Sequence, residues 1–269
     1  MRDLSRTLLY LWDNKGLFAG RHPDIELHTH AVHALCVGID GEFEHSEDGF
    51  NWIRCRSAMA PPGTPSAIRF SGTYSVILFY EPNSSELPNL TSEKESPSRS
   101  GVILHLKKEK ELLNSIETLI DSNRKEDIPK LLENICIPPI RRSKPKPWNH
   151  RLLPVMRLIL QDPDENFSIE EMSQKVGLSP SRLAHLFKDE IGIPIRLFRT
   201  WFRLKTAILF IKNGASITEA AVNAGFYDSS HSSEFIPKNV RSFSDGDVPF
   251  QPKDRVVRRK RTRISGIRR

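Results

Sequence analysis

The sequence predicts an α+β chain of two domains, an N-terminal β-barrel or sandwich followed by a C-terminal all-α domain with two helix-turn-helix units. Three observations support this prediction. Short β-rich runs fill residues 25–80, helical patterns fill the region after residue 150, and a segment rich in proline and basic residues separates them. Short strands bounded by turn residues are typical of barrels and sandwiches, and a proline-rich segment between two patterned regions is typical of a linker.

The β pattern consists of runs bounded by Gly, Pro, Asn or Asp: IELHTH, ALCVGI, GEFEH, NWIRCR, SAIRF and YSVILFY. His28, His30 and His33 lie at the start of this region. Alternate residues of a strand face one side, and imidazoles at such positions are suited to a transition metal. Histidines that line a pocket mouth or pack on the barrel are the other interpretation.

Residues 81–151 predict a loop, a helical cover and a linker. The run EPNSSELPNLTSEKESPSRS is poor in large apolar residues, as loops are. A last strand (GVILHLKK) and then two helices follow, the first with an apolar stripe of Leu112, Leu113, Ile116, Leu119 and Ile120. Such a stripe either covers the barrel or mediates dimerisation. Prolines and basic residues crowd into residues 137–151, so an exposed, semi-rigid linker is predicted there.

Residues 167–193 predict two short helices joined by a tight turn. Ser168 stands three residues before Glu171, the spacing of a capping box, and Gly177 ends this helix. Ser179 and Pro180 then provide the cap and the first turn of a second helix. The polar face of that helix carries Ser181, Arg182, His185 and Lys188. Such side chains hydrogen-bond base edges and phosphates in a major groove, so a DNA recognition helix is predicted.

A second copy of this pattern follows. Its first helix has apolar positions Ile217, Ala220, Ala221 and Ala224, and Gly225 repeats the turn before a helix start at Asp228. Between the copies, large apolar and basic residues recur every three or four positions up to Asn213-Gly214, which predicts one connecting helix. A stiff connector would let two recognition helices enter successive major-groove segments, about 34 Å apart.

The double unit resembles the DNA-binding domain of AraC/XylS-family transcriptional regulators. The resemblance covers Leu152 to Ser233, and its clearest runs are Val176-Gly177-Leu178-Ser179, Leu186-Phe187-Lys188 and Gly225-Phe226. For the first unit we predict base contacts by Ser181, Arg182 and His185 and a phosphate contact by Lys188. The resemblance adds Ser229, Ser230 and Ser233 as base-facing positions of the second unit.

The strand half resembles the cupin-like sensor domain of many members of this family. Metal-binding cupins place a Glu soon after the two histidines and a further His after a Pro-Gly turn, whereas this chain has Ala34-Leu35 and Ser66 there. We therefore predict no metal and no cofactor, since a metal site needs its full ligand set. A cupin-type metalloenzyme with an accessory helical domain is the competing functional class.

After His231 the sequence departs from the family. Ser232 stands in place of a buried Phe, and Pro237 would interrupt a helix that starts at Asp228. The second unit is therefore predicted to be impaired. Codons for residues 238–251 can be written so that the next frame contains the family's Phe-Gly-Leu-Ser-Pro-Thr run, which supports a frameshift near Ser232. The alternatives are a genuine basic arm that grips DNA and a non-functional remnant.

The formal charge of +7 is concentrated at one end. Nine Lys/Arg and one Asp lie between Pro252 and Arg269, so this segment contributes +8 and the rest about −1. DNA affinity of the folded domains must then come from local phosphate contacts, for which Arg196, Arg199, Arg203 and Lys205 are candidates. Cys36, Cys55 and Cys136 lack the spacing of a zinc site, so reduced thiols are expected.

These observations predict a sequence-specific DNA-binding regulator of transcription, not an enzyme. The predicted division is a sensor domain at 1–137, a linker at 138–150, the DNA-binding domain at 151–236 and a disordered basic tail at 237–269. The expected partners are double-stranded DNA, a small-molecule effector, RNA polymerase and a second copy of the chain. The sequence has no apolar run long enough for a membrane span and no signal peptide pattern, so a cytoplasmic protein is expected.

Overall fold

The computed structural model describes residues 7–11, 15–81, 100–107, 109–121 and 149–226, together with residue 4. Its strands are β1 (Leu8–Leu11), β2 (Lys15–Arg21), β3 (Ile25–Thr29), β4 (His33–Gly38), β5 (Phe43–Ser46), β6 (Ile53–Cys55), β7 (Ser57–Ala60), β8 (Pro65–Arg69), β9 (Tyr74–Tyr80) and β10 (Ile103–Leu104). Its helices are α1 (Glu109–Asp121), α2 (Leu152–Gln161), α3 (Ile169–Lys175), α4 (Pro180–Ile191), α5 (Ile195–Lys212) and α6 (Ile217–Asn223). Cys136, the linker up to residue 148 and the tail lie outside the described residues.

The N-terminal domain consists of two antiparallel sheets. Their strand orders are β1-β2-β9-β4-β7-β10 and β3-β8-β5-β6. Side chains alternate between faces along a strand, so Cys36 of β4 joins the core between the sheets, whereas its neighbours Leu35 and Val37 face the core beneath α1. The predicted all-β N-terminal half is confirmed by this architecture.

Helix α1 covers the outer face of the six-stranded sheet. Its stripe Leu112, Leu113, Ile116 and Leu119 is buried in the same cluster as the sheet residues Leu35, Val76 and Leu78. The stripe thus packs on the sheet in this structure, and its use in dimerisation stays a prediction. Dimerisation through these four side chains would need α1 to leave the sheet.

Strands β1 and β2 were not predicted. Residues 16–20 of β2 are buried throughout, because Leu17 packs under α1 while Phe18 faces the other side and packs with Leu9 and Ile208. A strand buried on both faces lacks the alternation by which half-buried strands are found in a sequence.

The C-terminal domain repeats one helical unit, and the same local interaction starts both copies. The Ser168 hydroxyl accepts from the Glu171 amide at 3.1 Å, and the Glu171 carboxylate accepts from the Ser168 amide at 2.7 Å. Ser216 and Glu219 form the same reciprocal pair at 3.2 and 2.9 Å. The capping box predicted at Ser168 is thus confirmed, and the second unit begins with an equivalent one.

Aromatic side chains form the centre of the first unit. Phe187 of α4 meets Phe198 of α5 edge to face at a centroid distance of 5.3 Å, and Phe198 meets Phe202 at 4.8 Å. Leu183 and Met172 are buried around them. The second unit packs on α5 around the smaller side chains of Ala207, Ala220 and Ala224, with Phe210, Ile217 and Phe226 partly buried beside them.

Besides the contact of Leu9 and Phe18 with Ile208, the β-domain packs against the first unit of the α-domain. Ala31 and Val32, in the turn before β4, belong to the same buried cluster as the helices of the first unit. At Gly63 an added Cβ would lie 3.0 Å from the carbonyl oxygen of Gly192, so the turn before β8 touches the α4–α5 junction directly. Within the described ranges, no helix is long and apolar enough to cross a membrane.

We predict that acid destabilises the β-domain through its buried and half-buried histidines. Burial lowers the pKa of His22 to about 4, of His30 to about 3 and of His33 to about 4, from an ordinary value of 6.5. The unfolded chain therefore binds more protons below pH 6.5, so stability present above this pH is lost as the pH falls toward the folded-state values. Each histidine contributes at most about 1.4 kcal/mol per pH unit.

Urea unfolding at several pH values between about 5 and 7 measures this dependence. His22 lies against Phe18 and Phe70, at centroid distances of 4.4 and 5.2 Å, so His22→Phe keeps an aromatic ring there and removes one titrating group. The variant should show a shallower pH dependence than the wild type, whatever its stability at neutral pH. An unchanged slope would contradict the role assigned to His22.

Candidate nucleic-acid interface

Helix α4 presents the predicted recognition residues on its outer side. The Ser179 hydroxyl caps the helix by accepting from the Arg182 amide at 3.3 Å, and Pro180 occupies its first turn. Leu183, Phe187 and Ile191 anchor the inner side. The predicted contact residues Ser181, Arg182, His185 and Lys188 are all exposed.

The spacing of these residues places them on one surface. Ser181, His185 and Lys188 are four and then three positions apart, which puts them on one helical stripe, with Arg182 at its border. The stripe offers hydroxyl, guanidinium, imidazole and ammonium groups from a helix held by a buried aromatic core. Donors of this kind, carried on a rigid helix, can read base edges and bind phosphates.

Arg199 and Arg203, predicted to contact DNA, bind a loop of their own domain. We call residues 162–168 the α2–α3 loop. Arg199 donates to the carbonyl oxygens of Phe167 at 2.8 Å and Glu165 at 2.7 Å. Arg203 donates to the carbonyl of Pro163 at 2.8 Å and to Asn166 Oδ1 at 2.5 Å. Direct phosphate contact by either arginine remains a prediction, and it would compete with these hydrogen bonds.

Lys205 faces the β-domain. Its Nζ lies 2.7 Å from Glu81 Oε1, and the two side chains are 14% and 5% exposed. Trp201 Nε1 donates to the same carboxylate oxygen at 3.3 Å, and the indole packs on Phe79 at a centroid distance of 5.8 Å. Sequence reasoning grouped Lys205 with the phosphate candidates because its acidic partner is 124 residues away in the chain.

The second unit is described only as far as Phe226. Ser229, Ser230 and Ser233, the base-facing positions predicted for it, lie outside the described residues, as do Ser232 and Pro237. The apolar positions predicted for its first helix do come together, because Ala220 and Ala224 pack on Ala207 of α5 with Ile217 and Phe226 beside them.

The histidines considered as metal ligands lie on different sheets. His28 is on β3 of the four-stranded sheet, and His33 is on β4 of the six-stranded sheet. His30 meets the His28 ring at 4.3 Å, while His45 Nε2 lies 2.8 Å from the Ser66 hydroxyl oxygen. Among the described residues, no three His, Cys, Asp or Glu side chains are arranged to hold a metal ion.

Charged residues on the outer face of the four-stranded sheet interact with one another. Arg69 lies over the Trp52 ring at 3.8 Å and is 4.0 Å from the Glu44 carboxylate. Arg54 pairs with Glu42 at 2.8 Å. Trp52, Arg54 and Arg69 are thus surface residues that contact other side chains of the same sheet.

Comparison with known proteins supports the family resemblance. A family model described as a helix-turn-helix domain matches residues 172–241, so its match continues beyond His231. The arabinose operon regulatory protein of Escherichia coli is 37% identical over 76 residues, which are 28% of this chain and 26% of that protein. The HTH-type transcriptional regulator MtrA of Neisseria gonorrhoeae is 28% identical over 88 residues, or 32% of this chain and 29% of the relative. The matches thus span about a quarter of the curated relatives' length.

The whole fold also has a solved counterpart. An apo ToxT variant from Vibrio cholerae superposes with a TM-score of 0.52 at 9% identity, covering 87% of this chain and 94% of that one. At this identity the likeness shows the fold alone. The shared fold joins an N-terminal β-domain to C-terminal helices, as the sequence predicted. The matching domain model and these relatives support the resemblance of the helical domain to the DNA-binding domain of AraC/XylS-family transcriptional regulators.

Proposed function

We propose that the chain binds double-stranded DNA in a sequence-specific manner and thereby regulates transcription. The observation that carries this proposal is the exposed polar stripe of α4. The other side of this capped helix packs into the buried aromatic core of the first unit. The contacts of the β-domain with the first unit lie at the other end of α4, near Gly192, and along α5. The N-terminal half of α4 is therefore accessible while the domains remain packed together.

The chemistry of the stripe suggests a role for each residue. Arg182 can donate two hydrogen bonds to the major-groove edge of guanine, and Ser181 and His185 can hydrogen-bond neighbouring base edges. Lys188 lies further along the helix and suits a phosphate. Arg196 is exposed at the first turn of α5 and is a second phosphate candidate. For Arg199 and Arg203 we propose an indirect role, through the loop that they hold.

The second unit would extend the site to a neighbouring groove. Helix α5 has 18 residues and is therefore about 27 Å long, comparable to the roughly 34 Å between successive major-groove segments. Ser229, Ser230 and Ser233 remain our proposed base contacts in that groove. Their contribution depends on the sequence after His231, where we propose an impaired recognition helix.

For the β-domain we propose a sensor function exerted through α5. Trp201, Lys205 and Ile208 of α5 all contact it, so a ligand or partner that altered this face would move the helix that joins the two units. The domain boundaries after residues 137, 150 and 236, RNA polymerase contact and dimerisation belong to this proposal as well. The relatives are named as regulators, and we propose no enzymatic activity.

Removal of base-reading side chains should weaken specific binding selectively. The double variant Arg182→Ala, His185→Ala should lose about 1 to 3 kcal/mol per base contact on a duplex that the wild-type chain has enriched from a random pool. Binding to a duplex of random sequence should change little. Lys188→Ala is the matched control, because loss of a phosphate contact should weaken binding to both duplexes and reduce the salt dependence by about one counterion. Equal losses on both duplexes for the double variant would contradict base reading.

Loss of one partner of the interdomain ion pair should destabilise the chain. Lys205→Met leaves the Glu81 carboxylate buried without its cation, which commonly costs about 3 to 5 kcal/mol of unfolding free energy. Adding Glu81→Leu removes the stranded charge and should restore much of the stability. Urea unfolding of the single and double variants gives the coupling between the two residues. Additive losses would indicate that the pair contributes nothing to the domain interface.

A further inference from the structure

The α2–α3 loop is the point where three parts of the α-domain meet. It connects α2 to the first unit, and it is held from α5 by the guanidinium groups of Arg199 and Arg203. These groups donate to three main-chain carbonyl oxygens of the loop, those of residues 163, 165 and 167, and to the Asn166 side chain. Because hydrogen bonds hold three of its seven main-chain carbonyl groups, the loop has little freedom to change its backbone conformation.

The second unit contacts this loop through the backbone of Gly225, in the turn that follows α6. A Cβ at Gly225 would lie 2.7 Å from both the Cα and the carbonyl oxygen of Asp164, which is closer than such atoms approach in proteins. Gly225 also has a φ of +83°, a conformation that favours glycine. Its hydrogen atoms therefore let two main chains meet where no other residue fits.

Two other turn glycines of this domain lack such a contact. Gly177, at the same place in the first unit, has a φ of +62°, and Gly214, at the end of α5, has a φ of +89°. A Cβ added at either would meet nothing within 4 Å. The close approach is thus a property of Gly225, and it does not follow from the turn conformation that the three glycines share.

The remaining contact between α6 and α5 is formed by side chains. Ala207, Ala220 and Ala224 are its fully buried part, and Leu204, Phe210, Ile217 and Phe226 are partly buried around them. Contact of the Gly225 turn with the loop that Arg199 and Arg203 hold on α5 adds a main-chain stop to this packing. It blocks motion of α6 toward the first unit.

We infer that the α2–α3 loop sets the orientation of the second helix-turn-helix unit relative to the first. Gly225, Arg199 and Arg203 are then positioning residues: the arginines fix the loop, and the loop fixes Gly225. The consequence for DNA rests on the proposed function, because a fixed orientation lets one duplex be read in two adjacent grooves. The contact itself is a property of the protein and can be tested without DNA.

Hydrogen exchange of the full chain without DNA tests the contact. Gly225→Ala should speed exchange at the amides of residues 164–167 and of α6 by about tenfold or more, because the methyl group forces the two main chains apart. Gly214→Ala is the matched control, since it places a side chain in an equally strained conformation with open space around it. If both variants speed exchange in the loop equally, the inference is overturned.

A second pair of variants tests the clamp without altering a glycine. Arg203→Lys keeps the charge but cannot hold the carbonyl of Pro163 and Asn166 together, so it should also speed exchange in the α6 amides. Arg196→Lys changes an exposed arginine of the same helix and should leave those amides unchanged. Unchanged α6 exchange in Arg203→Lys would overturn the coupling even if Gly225→Ala failed to fold.

Two duplexes test the consequence for DNA binding. Both are derived from the sequence that the wild-type chain enriches from a random pool. One carries the whole site, and the other carries only the half bound by α4. Gly225→Ala should lose most of the preference that the wild type shows for the whole site over the half-site, and it should bind the half-site almost as well as the wild type does. Equal losses on both duplexes would overturn the positioning role. If the wild type enriched no sequence while Gly225→Ala still loosened the loop, the contact would stand and the proposed DNA binding would fail.

Discussion

The carboxylate of Glu81, buried between the two domains, is the interaction on which their arrangement depends. A buried charge costs several kcal/mol unless an opposite charge and further donors replace its water. Lys205 supplies the charge at 2.7 Å, and the Trp201 indole supplies a second donor at 3.3 Å. Both lie on one face of α5, four residues apart, so the carboxylate holds that face of the helix against the β-domain.

Because α5 is fixed in this way, its other faces are fixed as well. Phe198 and Phe202 enter the core of the first unit, and Arg199 and Arg203 hold the α2–α3 loop. Leu204 is partly buried against that core, against the alanine cluster of the second unit and against the Leu9, Phe18 and Ile208 cluster of the domain interface. One helix thereby links the β-domain to both helix-turn-helix units. A change at the β-domain face that contacts α5 would reach the exposed stripe of α4 through this shared core, which is the physical basis we propose for regulation.

Local chemistry explains which features could be predicted from the sequence. The capping box at Ser168, the cap at Ser179 and the apolar stripe of α4 are set by residues within one or two turns of each other, and all three are present. The functions of Arg199, Arg203 and Lys205 depend on partners that lie 32 to 124 residues away, and a basic residue on a helix gives no sign of which partner it will meet. Strand β2 was missed because burial on both faces removes its alternation. The exposure of Ser181, Arg182, His185 and Lys188 followed from helical spacing. Spacing alone does not determine whether these side chains contact DNA, because such contact depends on the bases and phosphates that they would meet.

Sequence-specific DNA binding is the central proposal for this chain, and selection from a random duplex pool with the full chain tests it most directly. We expect repeated rounds to enrich one motif, with its strongest base preferences confined to the few base pairs that one recognition helix can reach. A weaker second block of preferences one helical turn away would reflect the second unit. Recovered sequences that match the input pool, with binding that depends only on salt, would indicate a general affinity for polyanions and would contradict the account.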